Sequence, residues 1–134
     1  MPTWVSEEIV SAFHAQQLIE HGGLPGSLRE GALEAALGRP QNLLAYGDPA
    51  PSLMQLAAAY AFALARGHCF TDGNKRVALV TTDVFLQLNG YELTASDSPE
   101  TVSMFRALAS GEITEDQMAD WIRLNSKPLT DCPP

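Results

Sequence analysis

Apolar residues recur along this chain at helical spacing, in runs that glycine and proline interrupt. The first run, from about Trp4 to Glu20, puts Val5, Ile9, Phe13 and Leu18 on one rough face and meets Gly22-Gly23 at its end. Glu7 and Glu8 stand in its opening turn, where the helix dipole favours acids. His14 and His21 ride on this segment as structural or solvated groups, and His21 suits a helix C-terminus. The turn-forming stretch from Gly22 to Arg29 leads to a short helix from about Glu30 to Leu37, which Gly38 and Pro40 should close. Between Pro40 and Pro51 the pattern predicts irregular chain, a surface loop or a flap over a cleft.

Two apolar helices are expected next, from about Pro51 to Arg66 and from about Asn74 to Asn89. The former carries Ala57, Ala58, Ala59, Ala61, Ala63 and Ala65, so little of its circumference is charged and it should sit in the middle of the fold. Tyr91 to Thr94 reads as a brief extended segment. Ser98-Pro99-Glu100 then reads as cap, first helical residue and acidic first turn of a helix that Gly111 ends. Thr114 with Gln117 forms a capping-box pattern for a last helix running to about Asn125. The whole predicts an all-α, single compact domain of about six helices over residues 1–126, with at most one small β-hairpin. The proline-rich stretch 127–134 is expected to be a disordered tail.

The chemistry is concentrated between the two central helices, in Arg66-Gly-His-Cys-Phe-Thr-Asp-Gly-Asn-Lys-Arg76. Gly67 is the residue type that can leave a helix in the left-handed conformation. Gly73 to Arg76 fall on the first turn of the next helix, where unpaired N–H groups and the positive dipole end favour an anion. Lys75 and Arg76 add full charges, while His68 and Asp72 lie on the loop leading in. A neutral imidazole can take a proton from a hydroxyl near neutral pH, and a carboxylate is a hard ligand for magnesium. One at a time these residues have ordinary uses as caps, turns and surface charge. Together those uses explain them less well, since cations at a helix N-terminus oppose the dipole and need a reason to be there. Phe70, flanked by polar residues, should point inward and pin the loop.

Composition narrows the partners. A formal net charge of -8 argues against general affinity for nucleic acid or an anionic membrane, so the central stretch is a local positive island suited to a nucleotide. The two cysteines, Cys69 and Cys132, have no metal-binding spacing. A disulfide would tether the reactive loop to the tail, which makes reduced thiols and a cytoplasmic setting the expectation. No leader pattern and no membrane-length apolar run is visible.

His68-Cys-Phe-Thr-Asp-Gly-Asn-Lys-Arg76 resembles the signature of the Fic/Doc superfamily, His-x-Phe-x-(Asp or Glu)-(Gly or Ala)-Asn-(Gly or Lys)-Arg, at every defined position. Members that transfer AMP usually carry Gly at the position of Lys75 and a further Arg at that of Leu79, whereas the Doc toxin branch carries Lys at the first. The Gly22–Pro40 stretch also resembles that branch, so the similarity spans most of the chain from about Ser6 to Leu124. Cys69 and Val77 depart from common choices without touching a charged role.

This resemblance implies an all-α fold and a kinase toxin that binds ATP with magnesium. It would pass the terminal phosphate to a threonine of elongation factor Tu and so stop translation. His68 would be the base, Asp72 the magnesium ligand, and Gly73, Asn74, Lys75 and Arg76 the phosphate cradle, with Arg29 and Arg39 as candidates for docking the target. No inhibitory (Ser or Thr)-x-x-x-Glu-(Gly or Asn) string is present, so restraint is expected from an antitoxin of the Phd type. An AMP transferase and a non-catalytic nucleotide- or partner-binding module are the alternatives.

Overall fold

The computed structural model describes residues 2–26 and 31–129. Among these described residues six helices run in chain order, α1 Glu7–His21, α2 Ala32–Tyr46, α3 Leu53–Arg66, α4 Asn74–Leu88, α5 Pro99–Ser110 and α6 Glu115–Leu124. Two three-residue strands, β1 Tyr91–Leu93 and β2 Ser126–Pro128, complete the all-α architecture.

α3 is the hub because its alanines let neighbours approach on every side. Ala57, Ala58, Ala59 and Ala61 are fully buried, and the helix packs against α2, α4, α5 and α6. Ser52 and Gln55 close a capping box at its start. α4 lies along α3 and carries the reactive loop on its N-terminal end. Its buried Phe85 stacks on Trp4 at 5.9 Å and meets Tyr60 of α3 at 4.8 Å. The Tyr60 hydroxyl accepts the Val5 N–H at 3.0 Å, so the segment before α1 is stitched to the hub, and burial pushes the Tyr60 phenol above its usual value. One shared core thus fixes α1, α3 and α4 around the loop between residues 66 and 74.

The caps place the later helices as expected. The Ser98 side chain accepts the Thr101 N–H ahead of Pro99, and Thr114 and Gln117 form a capping box. Three expectations need correction. α2 does not stop at Gly38 and Pro40 but continues to Tyr46, so the irregular segment is confined to the residues just before Ser52. Pro40 forfeits a helical hydrogen bond, yet it is buried with Ala36 and Leu37, and Leu43 and Leu44 on the next turn pack on the core. That burial outweighs the local break.

Secondly, β1 is not half of a hairpin. It pairs antiparallel with the distant β2, Tyr91 opposite Pro128 and Leu93 opposite Ser126. Thirdly, the expected disorder from Lys127 does not hold at its first residues, because Lys127 and Pro128 belong to β2 and the Leu129 N–H reaches the Gly90 carbonyl at 2.9 Å. Residues 130–134 lie outside the described residues.

Candidate active site

α3 ends at Gly67, whose φ of -77° is right-handed, not left-handed as expected. A side chain there would run into the Ala63 carbonyl oxygen, and this is why the position is glycine. The left-handed turn is made one residue later by His68, at φ 50°, the only positive-φ residue other than glycine among the described residues. A side-chain-bearing residue in this region costs about 1–2 kcal/mol, so the surrounding loop must hold it. The strained turn leaves the imidazole exposed to solvent.

That hold comes from the next residues. Cys69 and Phe70 are buried, and the Phe70 ring lies flat on His14 of α1 at 3.9 Å and 13°. The Asn74 side chain spans the Phe70 backbone, accepting its N–H at 3.0 Å and donating to its carbonyl at 2.8 Å. The Thr71 N–H donates to the Gly26 carbonyl at 3.0 Å, and the Asp72 carboxylate accepts the Leu24 N–H through Oδ2 at 2.9 Å. A chain segment before α2 therefore fixes the Asp72 side chain from one side, with Oδ1 making no hydrogen bond among the described residues. Gly73 then enters α4 at φ 87°, a conformation that suits glycine.

In front of this helix start lies a cleft of about 330 Å³ lined by Gly73, Asn74, Lys75 and Arg76, by Leu79 one turn on, and by Val102, Phe105 and Arg106 of α5. Lys75, Arg76 and Arg106 are exposed, and among the described residues none forms an ion pair with a carboxylate. Three cations without a carboxylate partner among the described residues and a helix N-terminus line one cleft, groups that could hold a multiply charged anion. His68 and Asp72 are on the loop that leads into it. Among the described residues no three His, Cys, Asp or Glu side chains converge on a possible metal position. One carboxylate with phosphate oxygens still suits magnesium, which is commonly held by one or two carboxylates and its substrate's phosphates.

The predicted residues divide accordingly. Gly73, Asn74, Lys75 and Arg76 line the cleft and His68 and Asp72 lie on the loop before it, while the Asn74 side chain is occupied with the Phe70 backbone. Arg39 is elsewhere. Its guanidinium is bonded to Glu115 and lies over the Phe62 ring at 4.6 Å, tying α2 to α6 and α3, so its charge is already matched within the fold. Arg29 lies outside the described residues. Arg106 was not predicted, and its only signal is that Val102, Phe105 and Arg106 share one helical face. His14 was expected to be structural or solvated, and it is buried.

Residues 4–86 match the model of the Fic/DOC family, and the chain belongs to that family. The matched region includes the whole loop and the first turns of α4, and excludes Arg106. Among individual relatives, the chain is similar to the protein kinase doc of Escherichia phage P1, 40% identical over 119 residues, 89% of this chain and 92% of the relative. It is also similar to the toxin Doc of Mycolicibacterium smegmatis, 37% identical over 90 residues, 66% of this chain and 69% of the relative. Among the described residues no helix is long and apolar enough to cross a membrane.

Proposed function

We propose that this chain is a Doc-like toxin, an ATP-dependent protein kinase that transfers the terminal phosphate to a threonine of elongation factor Tu and so inhibits translation. The observation that carries the reading is the cleft itself, where Lys75, Arg76 and Arg106 have no carboxylate partner among the described residues and line the space at the α4 N-terminus. The kinase name of the phage relative and the toxin name of the mycobacterial one support the reaction and its role.

In the proposed reaction the exposed His68 imidazole, in its neutral form, takes the proton of the acceptor hydroxyl. The acceptor oxygen bonds to the terminal phosphorus as the bond to the bridging oxygen breaks, and ADP leaves with that electron pair. Lys75, Arg76 and the N–H groups of Gly73 to Arg76 stabilise charge on the transferring group. Asp72 would hold magnesium, with Leu24 fixing its carboxylate, and the ion would neutralise phosphate charge.

Leu79 gives the cleft an apolar wall where AMP-transferring members of the superfamily carry a further guanidinium. That favours the terminal over the innermost phosphorus as the site of attack. One observation favours the second reading, AMP transfer, because Arg106 brings a guanidinium to the same cleft from α5. In either case restraint would come from a Phd-like antitoxin. Expression of the chain alone is expected to arrest growth of a bacterial host, with relief on co-expression of that antitoxin. Growth at the normal rate from a confirmed soluble protein would remove the toxin reading.

A further inference from the structure

His14 sits on α1, 6% exposed, with Nε2 2.9 Å from the Asp72 carbonyl oxygen and its ring flat on Phe70. A carbonyl oxygen only accepts, so Nε2 carries the proton and donates it. The Asp72–Gly73 peptide is planar and trans, which makes the Asp72 C=O and the Gly73 N–H point in opposite directions. With the oxygen drawn inward to a buried ring, the N–H is turned outward to the cleft that Gly73 lines. Among the described residues nothing accepts a hydrogen bond from that N–H.

We propose that His14 is a positioning residue of the anion cradle, holding the Asp72–Gly73 peptide so that the Gly73 N–H meets a phosphate oxygen. This rests on the phosphate reading of the cleft given above. Gly73, at φ 87°, has no side chain to resist rotation of that peptide, so the restraint must come from outside the loop. A flipped peptide would face the anion with a carbonyl oxygen, replacing an attraction by a repulsion. The stack on Phe70 sets the plane of the imidazole, and Phe70 is in turn held by Asn74, so one linked set of contacts ends at the donor.

The test is a titration of the ¹⁵N-labelled full chain with tripolyphosphate, followed at the amides of Gly73 to Arg76. His14→Phe keeps an aromatic ring for Phe70 but loses the donor, and His14→Gln restores a donor at the place of Nε2. In the wild type all four amides should respond. In His14→Phe the Gly73 response should vanish while Lys75 and Arg76 still respond, with binding weakened about ten-fold, the size expected for one charge-assisted hydrogen bond. His14→Gln should return affinity to within about three-fold of wild type, a rescue of the donor rather than of ring shape. A wild-type Gly73 response in folded His14→Phe, or a Gln variant as weak as the Phe variant, would overturn the proposal. Should His14→Phe not fold, the ring nitrogens of the wild type decide, since an imidazole protonated on Nδ1 alone excludes the donor role. A wild type in which none of the four amides responds would sink the phosphate reading itself, and this inference with it.

Discussion

His68→Ala is expected to lower transfer to a protein hydroxyl by about 10²–10⁴-fold, the range for loss of a positioned general base, with ATP affinity unchanged. The side chain is exposed and makes no hydrogen bond among the described residues, so removing it should cost the fold little, within about 0.5 kcal/mol. Its left-handed backbone is held by neighbours on both sides, Gly67 against Ala63 and Phe70 against Asn74 and His14. Single-turnover rates at saturating ATP, beside a nucleotide-binding isotherm and a thermal melt, check this. Loss of binding or of stability in parallel with rate would place His68 in the cradle or the loop scaffold rather than at the proton.

Asn74→Ala should act in the opposite manner, through the fold of the loop. The side chain is the only described partner of the Phe70 N–H and carbonyl, and its removal leaves a part-buried donor and acceptor unmet. At about 1–3 kcal/mol for each unmet buried group, reduced by partial exposure, stability should fall by about 2–4 kcal/mol. Transfer should fall by roughly 10²-fold as the loop carrying His68 and Asp72 loosens. Urea unfolding and transfer rates on the same preparation separate this from direct contact with nucleotide. A variant as stable as wild type but with weakened ATP binding would mean that the Asn74 amide is itself a phosphate ligand.

That contrast shows what the sequence could and could not reveal. Helix starts were legible where the signal is local, as at Ser98-Pro99 and at Thr114 with Gln117, because a cap needs only its own turn. The motif named the residues of the loop, and Gly73 to Arg76 line the cleft at the α4 N-terminus, with His68 and Asp72 on the loop before it. Their division of labour was not legible. Whether Asn74 faces a phosphate or the Phe70 backbone depends on how the loop is curled, and that curl turns on His68, not on Gly67. Pro40 was misleading for a similar reason. Local geometry says that a helix should stop there, and only the core under Leu43 and Leu44 says that it continues.

Arg106 and His14 were out of reach because each sits on a separate helix, Arg106 lining the cleft and His14 bonding the Asp72 carbonyl, with no spacing rule to tie it there. Arg39 shows the converse, for a charge offered as a candidate for docking a target is spent on Glu115 and Phe62. β2 likewise owes its existence to β1, a partner far off in the chain.

The most direct measurement on the central claim is transfer to purified elongation factor Tu with magnesium and ATP labelled separately at the innermost and the terminal phosphate, His68→Ala serving as control. Terminal label on a threonine of the factor, absent with the variant, is the predicted result. Innermost label on the acceptor would contradict it, and would mean that Arg106, not Leu79, decides which phosphorus this cleft presents.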